Sequence, residues 1–404
     1  MEQKHTDTDL QRLEELARDA AVGSTMYDKR WVIENILAVG RHFQTTSYIT
    51  EDGPRELDDT IEEKMMTLWD ISVEEDVSKF YLDYGVLDFF IELFSNPNLR
   101  VKEISIGIMT NMVFHESLFP TIMETDKCLE NCLKLLEEKD SPTLLIVFRC
   151  LHSYGYNLFN LINKNEDSQK EVAKSLLEKF LIFLSLHSVV QNIGMVMGSC
   201  TNKTVLQNCA RFLSILSELW DFHEDRRKVS HHYTGEQFLQ CALEGMKECV
   251  GEDKTEKHFM IFLYLLFQRD LEKDMYSSIS TQTICIMERL LKEHVLEYSS
   301  IDEHDLEFIF NISYVLKCCL ESGEFSSIPA NLKSFLKDAE GRVERADIDE
   351  EHAENKKSIL TLISLSFNFL ETCNQNGNTS ESTENTPVHN NSTRNFYLNF
   401  EFYL

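Results

Sequence analysis

The chain has 404 residues, and 39 Lys+Arg against 68 Asp+Glu give a formal charge of −29. Only 14 Gly and 6 Pro leave few turn-formers, so the composition points to a mostly helical protein, either several domains or one extended repeat array. So acidic a field repels phosphate backbones, which excludes direct nucleic-acid binding as an expectation and favours solubility and basic partners.

In chain order, residues 1–22 read as an acidic N-terminal tail, and Met1–Leu16 shows no apolar stretch of the kind a secretory signal needs. Gly23-Ser24-Thr25 reads as a loop with an N-cap for a helix through Trp31, Ile33, Ile36 and Leu37. Trp31 and Trp69 read as core anchors. A linker is expected near 41–60, around Gly53-Pro54. Residues 51–76 hold eleven Asp/Glu against Arg55 and Lys64, a solvated helix face or a contact for a basic partner.

From Ile61 to Cys373 apolar residues recur at three- and four-residue steps, as in Leu129, Cys132, Leu133, Leu135, Leu136 and in Phe212, Leu213, Leu216, Leu219, Trp220. Short breaks at 95–98, 139–142, 199–203 and 251–253 supply helix stops and N-caps. The charged run 338–357 reads as a long exposed connection, and 374–404 as a disordered tail with an aromatic end. The apolar run 258–267 is too short to cross a bilayer, and 179–198 is interrupted by His187, Gln191 and Asn192. The eleven Cys lack framework spacing; Cys128, Cys209 and Cys285 sit in apolar runs, as reduced core cysteines do. A soluble intracellular protein is expected.

The run 85–113, GVLDFFIELFSNPNLRVKEISIGIMTNMV, resembles an armadillo repeat. Gly85 stands at a bend, Leu87, Phe90, Ile91, Leu93 and Phe94 form a second-helix face, and Val101, Ser105, Ile108, Met109 and Met112 form the inner face of a third helix. A weaker copy follows with Leu135-Leu136, Pro142, Val147, Cys150 and Leu151; a third, through Val205, Cys209, Phe212 and Leu216, needs extra residues taken up near 160–185. The expected fold is all-α: an armadillo-like α-solenoid of five or six degenerate repeats over 23–373. The armadillo resemblance implies an Asn near the end of the third helix that binds an extended peptide, here Asn111, because an amide both donates and accepts. Karyopherin-type repeats carry a Trp one turn earlier. This chain has Gly107 there, with Arg149 and Ser153 at the matching positions of the second copy. Asn111, Gly107, Arg149 and Ser153 are therefore the candidate partner-binding residues.

Three segments resemble a narrower family: Gly23–Trp31, Trp69–Val77 running into 85–114, and 190–206 with Gly198-Ser199-Cys200-Thr201-Asn202. Together they are similar to the serum amyloid A-like (synoviocyte proliferation-associated) family. That resemblance implies a nuclear, non-enzymatic protein linked to cell proliferation, without a cofactor. No Walker A, H-E-x-x-H, G-x-S-x-G or Rossmann pattern occurs, and Cys128, Cys132, Cys318 and Cys319 lack zinc spacing. His231-His232 follows Arg226-Arg227-Lys228, a basic cluster that reads as an exposed loop or a weak nuclear-localisation element. The expectation is a scaffold that binds protein segments on a concave face, with a karyopherin-like adaptor for basic cargo as the alternative and an enzyme as a third reading.

Overall fold

The computed structural model describes residues 20–376 except 47, 51–52, 125, 165–166, 270–272, 298–300, 302, 323–330, 347 and 349–351. A leading pair, α1 (Lys29–Thr45) and α2 (Asp59–Ile71), is followed by four three-helix units. These are α3 (Glu75–Asp83), α4 (Val86–Leu93) and α5 (Leu99–Phe114); α6 (Phe119–Glu124), α7 (Asp126–Lys134) and α8 (Ser141–Asn163); α9 (Asp167–Leu184), α10 (His187–Ser199) and α11 (Lys203–Leu219); and α12 (Arg226–Ser230), α13 (Glu236–Glu248) and α14 (Asp253–Arg269). Two helical hairpins complete the stack: α15 (Lys273–Leu291) with α16 (Glu303–Glu321), and α17 (Leu332–Arg345) with α18 (Ala353–Asn376).

The helices form two layers. The last helix of each unit lies beside the last helix of the next, giving an inner ladder α2–α5–α8–α11–α14–α16–α18, while α4, α7 with the turn Leu135–Glu137 after it, α10, α13, α15 and α17 follow one another in the other layer. A single helix pair cannot bury its own apolar stripe; laid side by side the units share one continuous core, from Val22 to Leu370. This is the armadillo-like solenoid expected from the repeat. Helix α5, packed between α2, α4 and α8, is buried on every side from Ile104 to Thr110.

The polar breaks start the helices. Asn98 accepts from the Val101 N–H at 3.1 Å, Asp140 from Thr143 at 2.9 Å, and Asn202 from Thr204 at 3.0 Å, each cap being worth about 1 kcal/mol. Gly85 and Gly251 have φ of +69° and +80°, the left-handed backbone that glycine adopts without steric cost. The extra length before the third copy is α8, at 23 residues, and the full-length first helix α9.

Several expectations change. The N-cap of α1 is Asp28, whose Oδ1 accepts from Arg30 and Trp31, rather than a residue of Gly23-Ser24-Thr25. Within 41–60, α1 runs to Thr45, Ile49–Thr50 (β1) pairs antiparallel with Gly53–Pro54 (β2), and α2 begins at Asp59. The charged run 338–357 is largely helix: Leu332, Leu336, Ala339 and Val343 recur at helical spacing and are buried, and the charges cover the other faces. Val22, placed in the tail, is buried, and the rest of that expected tail up to residue 19 lies outside the described residues. Helix α18 runs to Asn376, and 377–404 lie outside the described residues. Cys285 is exposed rather than in the core. Trp31 is 41% exposed and stacks on Tyr27 instead of anchoring the core; among the described residues α1 packs chiefly against α2, and Trp31 lies off that contact. The large buried anchor is Trp220. Among the described residues no single helix is long and apolar enough to cross a membrane; α9 and α10 reach that length only together, across a 67° bend.

Candidate interaction face on the inner helices

Asn111 is half-buried on α5, and its amide nitrogen is engaged within the fold. It donates to the Trp69 carbonyl at 3.2 Å and to Ser72 Oγ at 2.9 Å, at the C-terminal end of α2. The last carbonyls of a helix lack partners deeper in their own helix; the Trp69 carbonyl accepts from the Ser72 N–H and hydroxyl, and the Asn111 amide joins them. On the next helix Asn157 repeats the device, donating to the Val113 carbonyl near the end of α5 at 2.6 Å. Each Asn thus clasps the preceding rung of the ladder. The donor offered for a peptide backbone at Asn111 is spent on this contact, so the geometry gives Asn111 a positioning role in the stack.

Gly107 has an equally local cause. The Trp69 indole lies over it, and a Cβ built on Gly107 would stand 2.2 Å from Trp69 Cε2. The aromatic ring that karyopherin-type repeats place on the third helix is here supplied from α2. Gly107 makes room for it, and residues 107 and 111 together receive the end of α2.

Arg149 and Ser153 differ in kind. Both lie on the open stripe of α8; Arg149 is exposed, and the Ser153 hydroxyl donates back to the Arg149 carbonyl at 3.1 Å. Facing them, α11 presents Gln207, Arg211 and Glu218, and α14 presents Lys254, His258, Ile261 and Tyr264. The sequence pattern did not single out these α11 and α14 residues, because the polar ones are isolated in apolar helices and Ile261 and Tyr264 blend with the core residues; their helical spacing on the inner face is the signal that could have found them.

The electrostatics divide this face in two. Burial pushes the His152 imidazole down to about 3, with Arg211 and His258 adding repulsion. Burial also takes His258 down to about 4, helped by Arg211 and Lys254, and lowers Arg211, with Arg149 as the second cause. Further along the same stripe of α11, burial pushes the Glu218 carboxyl up to about 8, with Glu307 and Asp221 adding to the effect. Burial likewise raises Glu307, partly offset by Lys257. These shifts favour the neutral form of both imidazoles and the protonated form of the Glu218 carboxyl.

One group has the composition of a metal site. Asp253, Glu256 and His294 bring one ligand atom each within 4.8 Å of one another. Glu256 is fully buried, however, and its Oε1 lies 2.7 Å from the Arg289 guanidinium, which also contacts Glu293. Arg289 already supplies the positive charge a cation would bring, so the group reads as a buried ion-pair network. Among the described residues no cysteine forms a disulfide; Cys128, Cys132 and Cys150 are buried, and burial pushes Cys128 up to about 12, which makes it a poor nucleophile.

No protein-family model matches the chain. It is 27% identical to Protein SAAL1 of Homo sapiens over 209 residues, 50% of this chain and 40% of that protein. It is likewise 27% identical to Protein saal1 of Danio rerio over 219 residues, 53% of this chain and 43% of that one. The chain is similar to the SAAL1 (serum amyloid A-like 1) proteins. The matched stretch therefore spans well under half the length of these SAAL1 relatives. Among solved structures, a designed armadillo repeat protein aligns at 10% identity and a TM-score of 0.42, over 66% of this chain and 96% of that one. An engineered protein aligns at 12% and 0.44, over 72% and 99%.

Proposed function

We propose that this helical repeat scaffold is a non-enzymatic protein-binding platform that acts in the nucleus in support of cell proliferation, and that it holds a partner segment along the inner ladder from α8 to α14. The observation that carries the reading is the polar stripe of Arg149, Ser153, Gln207, Arg211 and Lys254 on three adjacent inner helices, set on a core that is otherwise closed. Repeat stacks use such a surface to bind extended segments. The nuclear and proliferative parts rest on the similarity to the SAAL1 proteins and on the family resemblance of the three sequence segments. Asn111 and Gly107 enter only by holding α2 against α5.

A photo-crosslinking side chain placed at Ser153 or Gln207, and for comparison at exposed Glu178 on α9, tests this in cells. Capture of the same protein from the two ladder positions and not from Glu178 is the expected result; equal capture from all three overturns the binding face. A fluorescent fusion concentrated in the cytoplasm overturns the nuclear assignment. The karyopherin-like alternative fares worse, because basic cargo would meet Arg149, Arg211 and Lys254 on this stripe.

A further inference from the structure

In so acidic a chain, the distribution of positive charge on the inner face is unexpected. Most Arg and Lys side chains near an acid are paired: Arg100 with Glu62 and Glu103, Arg226 and Arg269 with Asp221, Arg289 with Glu256 and Glu293. Arg149, Arg211 and Lys254 make no ion pair among the described residues. They stand on α8, α11 and α14, three consecutive rungs, and the rings of His152 and His258 lie among them. Arg149 and Lys254 are exposed and Arg211 is half-buried, so the guanidinium at the centre is partly stripped of water while its neighbours remain accessible. Like charges gathered without a counter-charge destabilise a fold. Their retention has a physical reason if an anion arrives to neutralise them.

We propose that this cluster is a docking site for an acidic, extended segment of a partner protein, with carboxylates seated on Arg149, Arg211 and Lys254. The proposal deepens the reading of the inner ladder as a binding face and rests on it. It also reverses the expectation of a basic partner, which the overall charge suggested: the total charge governs the long-range field, whereas a bound segment feels the residues it touches. Two rung spacings cover about 20 Å, the reach of roughly six extended residues. Guanidinium groups favour this ligand because their paired N–H donors match a carboxylate. His152 and Tyr156, whose rings stack with centroids 6.4 Å apart, follow Arg149 on α8. Ser153 and Gln207 supply neutral hydrogen-bonding groups beside the charges.

A labelled hexa-aspartate peptide, followed by fluorescence anisotropy with the full chain at about 0.15 M salt, where screening acts over about 8 Å, tests the site. The expected result is binding to the wild-type protein that falls at least tenfold in the Arg149→Ser/Arg211→Gln/Lys254→Gln variant, and is unchanged in Arg227→Gln/Lys228→Gln, which removes exposed charges elsewhere. Circular dichroism melting of each variant establishes that it is folded; if the triple variant melts early, Arg149→Ser/Lys254→Gln, which changes only exposed side chains, replaces it. Binding no tighter than that of hexa-asparagine overturns the proposal, as does an equal loss in the Arg227/Lys228 control. Competition by inorganic phosphate as effective as that by unlabelled peptide also overturns it, since the patch is then a general anion site. Crosslinking from Ser153 without hexa-aspartate binding sinks the acidic segment and leaves the scaffold reading standing; absence of both removes the two together.

Discussion

Ser24 and Asp76, fifty-two positions apart, are joined by two hydrogen bonds: the Ser24 backbone N–H reaches Asp76 Oδ2 at 2.7 Å and its hydroxyl the same oxygen at 2.6 Å. Gly23 beside it has φ +55°, and a Cβ there would stand 2.2 Å from Asp76 Cγ. The two segments that carry the family resemblance, 23–31 and 69–77, are thus two sides of one contact that ties the entry to α1 against α3. Gly23→Ala should release this loop. Hydrogen exchange of the 22–31 amides is expected to speed up while the amides of α8 and α11 keep their protection; unchanged exchange at 22–31 refutes the tie. The bonds to Ser24 hold the Asp76 carboxyl below its ordinary range, so the tie is present at neutral pH and weakens as Asp76 is protonated in acid.

Gly107→Ala forces the Trp69 ring out of its place and should cost about 1–3 kcal/mol, the range for overpacking. Denaturant unfolding measures the loss, and the double variant Gly107→Ala/Trp69→Leu should recover part of it. Additive losses in the two variants would show that the ring and the glycine act separately.

Asn157 is buried, and its amide is the partner recorded for the Val113 carbonyl at the end of α5. Asn157→Ala leaves that carbonyl without this donor, at an expected cost of about 1–3 kcal/mol in chemical denaturation. Asn111→Ala, at a half-buried site, should cost about 1 kcal/mol. A partner captured through Ser153 should still bind to Asn111→Ala; loss of capture in a stably folded Asn111→Ala protein would restore Asn111 as a contact residue.

Acid and base act on the inner face in opposite directions. Glu218 has its carboxyl raised to about 8 in the fold, so the folded chain holds a proton that the unfolded chain releases above about 4.5. Stability from this residue is therefore lost as pH rises from about 4.5 towards 8, and Glu218→Gln should stabilise more at pH 8 than at pH 5. His152 and His258 are depressed to about 3 and about 4, so the unfolded chain takes up their protons first as pH falls below 6.5. Their contribution is complete above 6.5 and is lost towards pH 3, and His152→Gln should flatten the acid side of a melting-temperature profile. A profile identical to wild type on both sides would refute the assignments.

Arg289→Met removes the charge that neutralises fully buried Glu256 and should destabilise by about 3–5 kcal/mol, the cost of leaving one half of a buried pair. Adding Glu256→Gln should restore much of the loss. If Zn²⁺ protected Arg289→Met against heat and not the wild type, the Asp253–Glu256–His294 group would be acting as a metal site once its own cation is removed.

The stack itself was legible because its signal is periodic. Leu87, Phe90, Ile91 and Leu93 are buried on α4 and Val101, Ile108, Met109 and Met112 on α5, and Asn98, Asp140 and Asn202 start helices at the breaks where such residues are expected. The helix α17 was hidden by its charges, since Leu336, Ala339 and Val343 are few among acidic and basic neighbours although their spacing is helical. The proposed binding stripe was legible only in part. Arg149 and Ser153 lie on it, but Asn111 and Gly107 face α2, a distinction set by which helix packs against α5. A position in a repeat locates a residue on a helix; whether a neighbour has already claimed its side chain is a tertiary fact.

The change from three-helix units to two-helix hairpins after α14 has a practical outcome. Units that touch only adjacent units can be excised or duplicated as modules, provided the new junction joins like with like. The four triplets meet that condition among themselves, so splicing out α9–α11 joins a triplet to a triplet. The seam between α14 and α15 does not meet it, so a cut there joins a triplet to a hairpin.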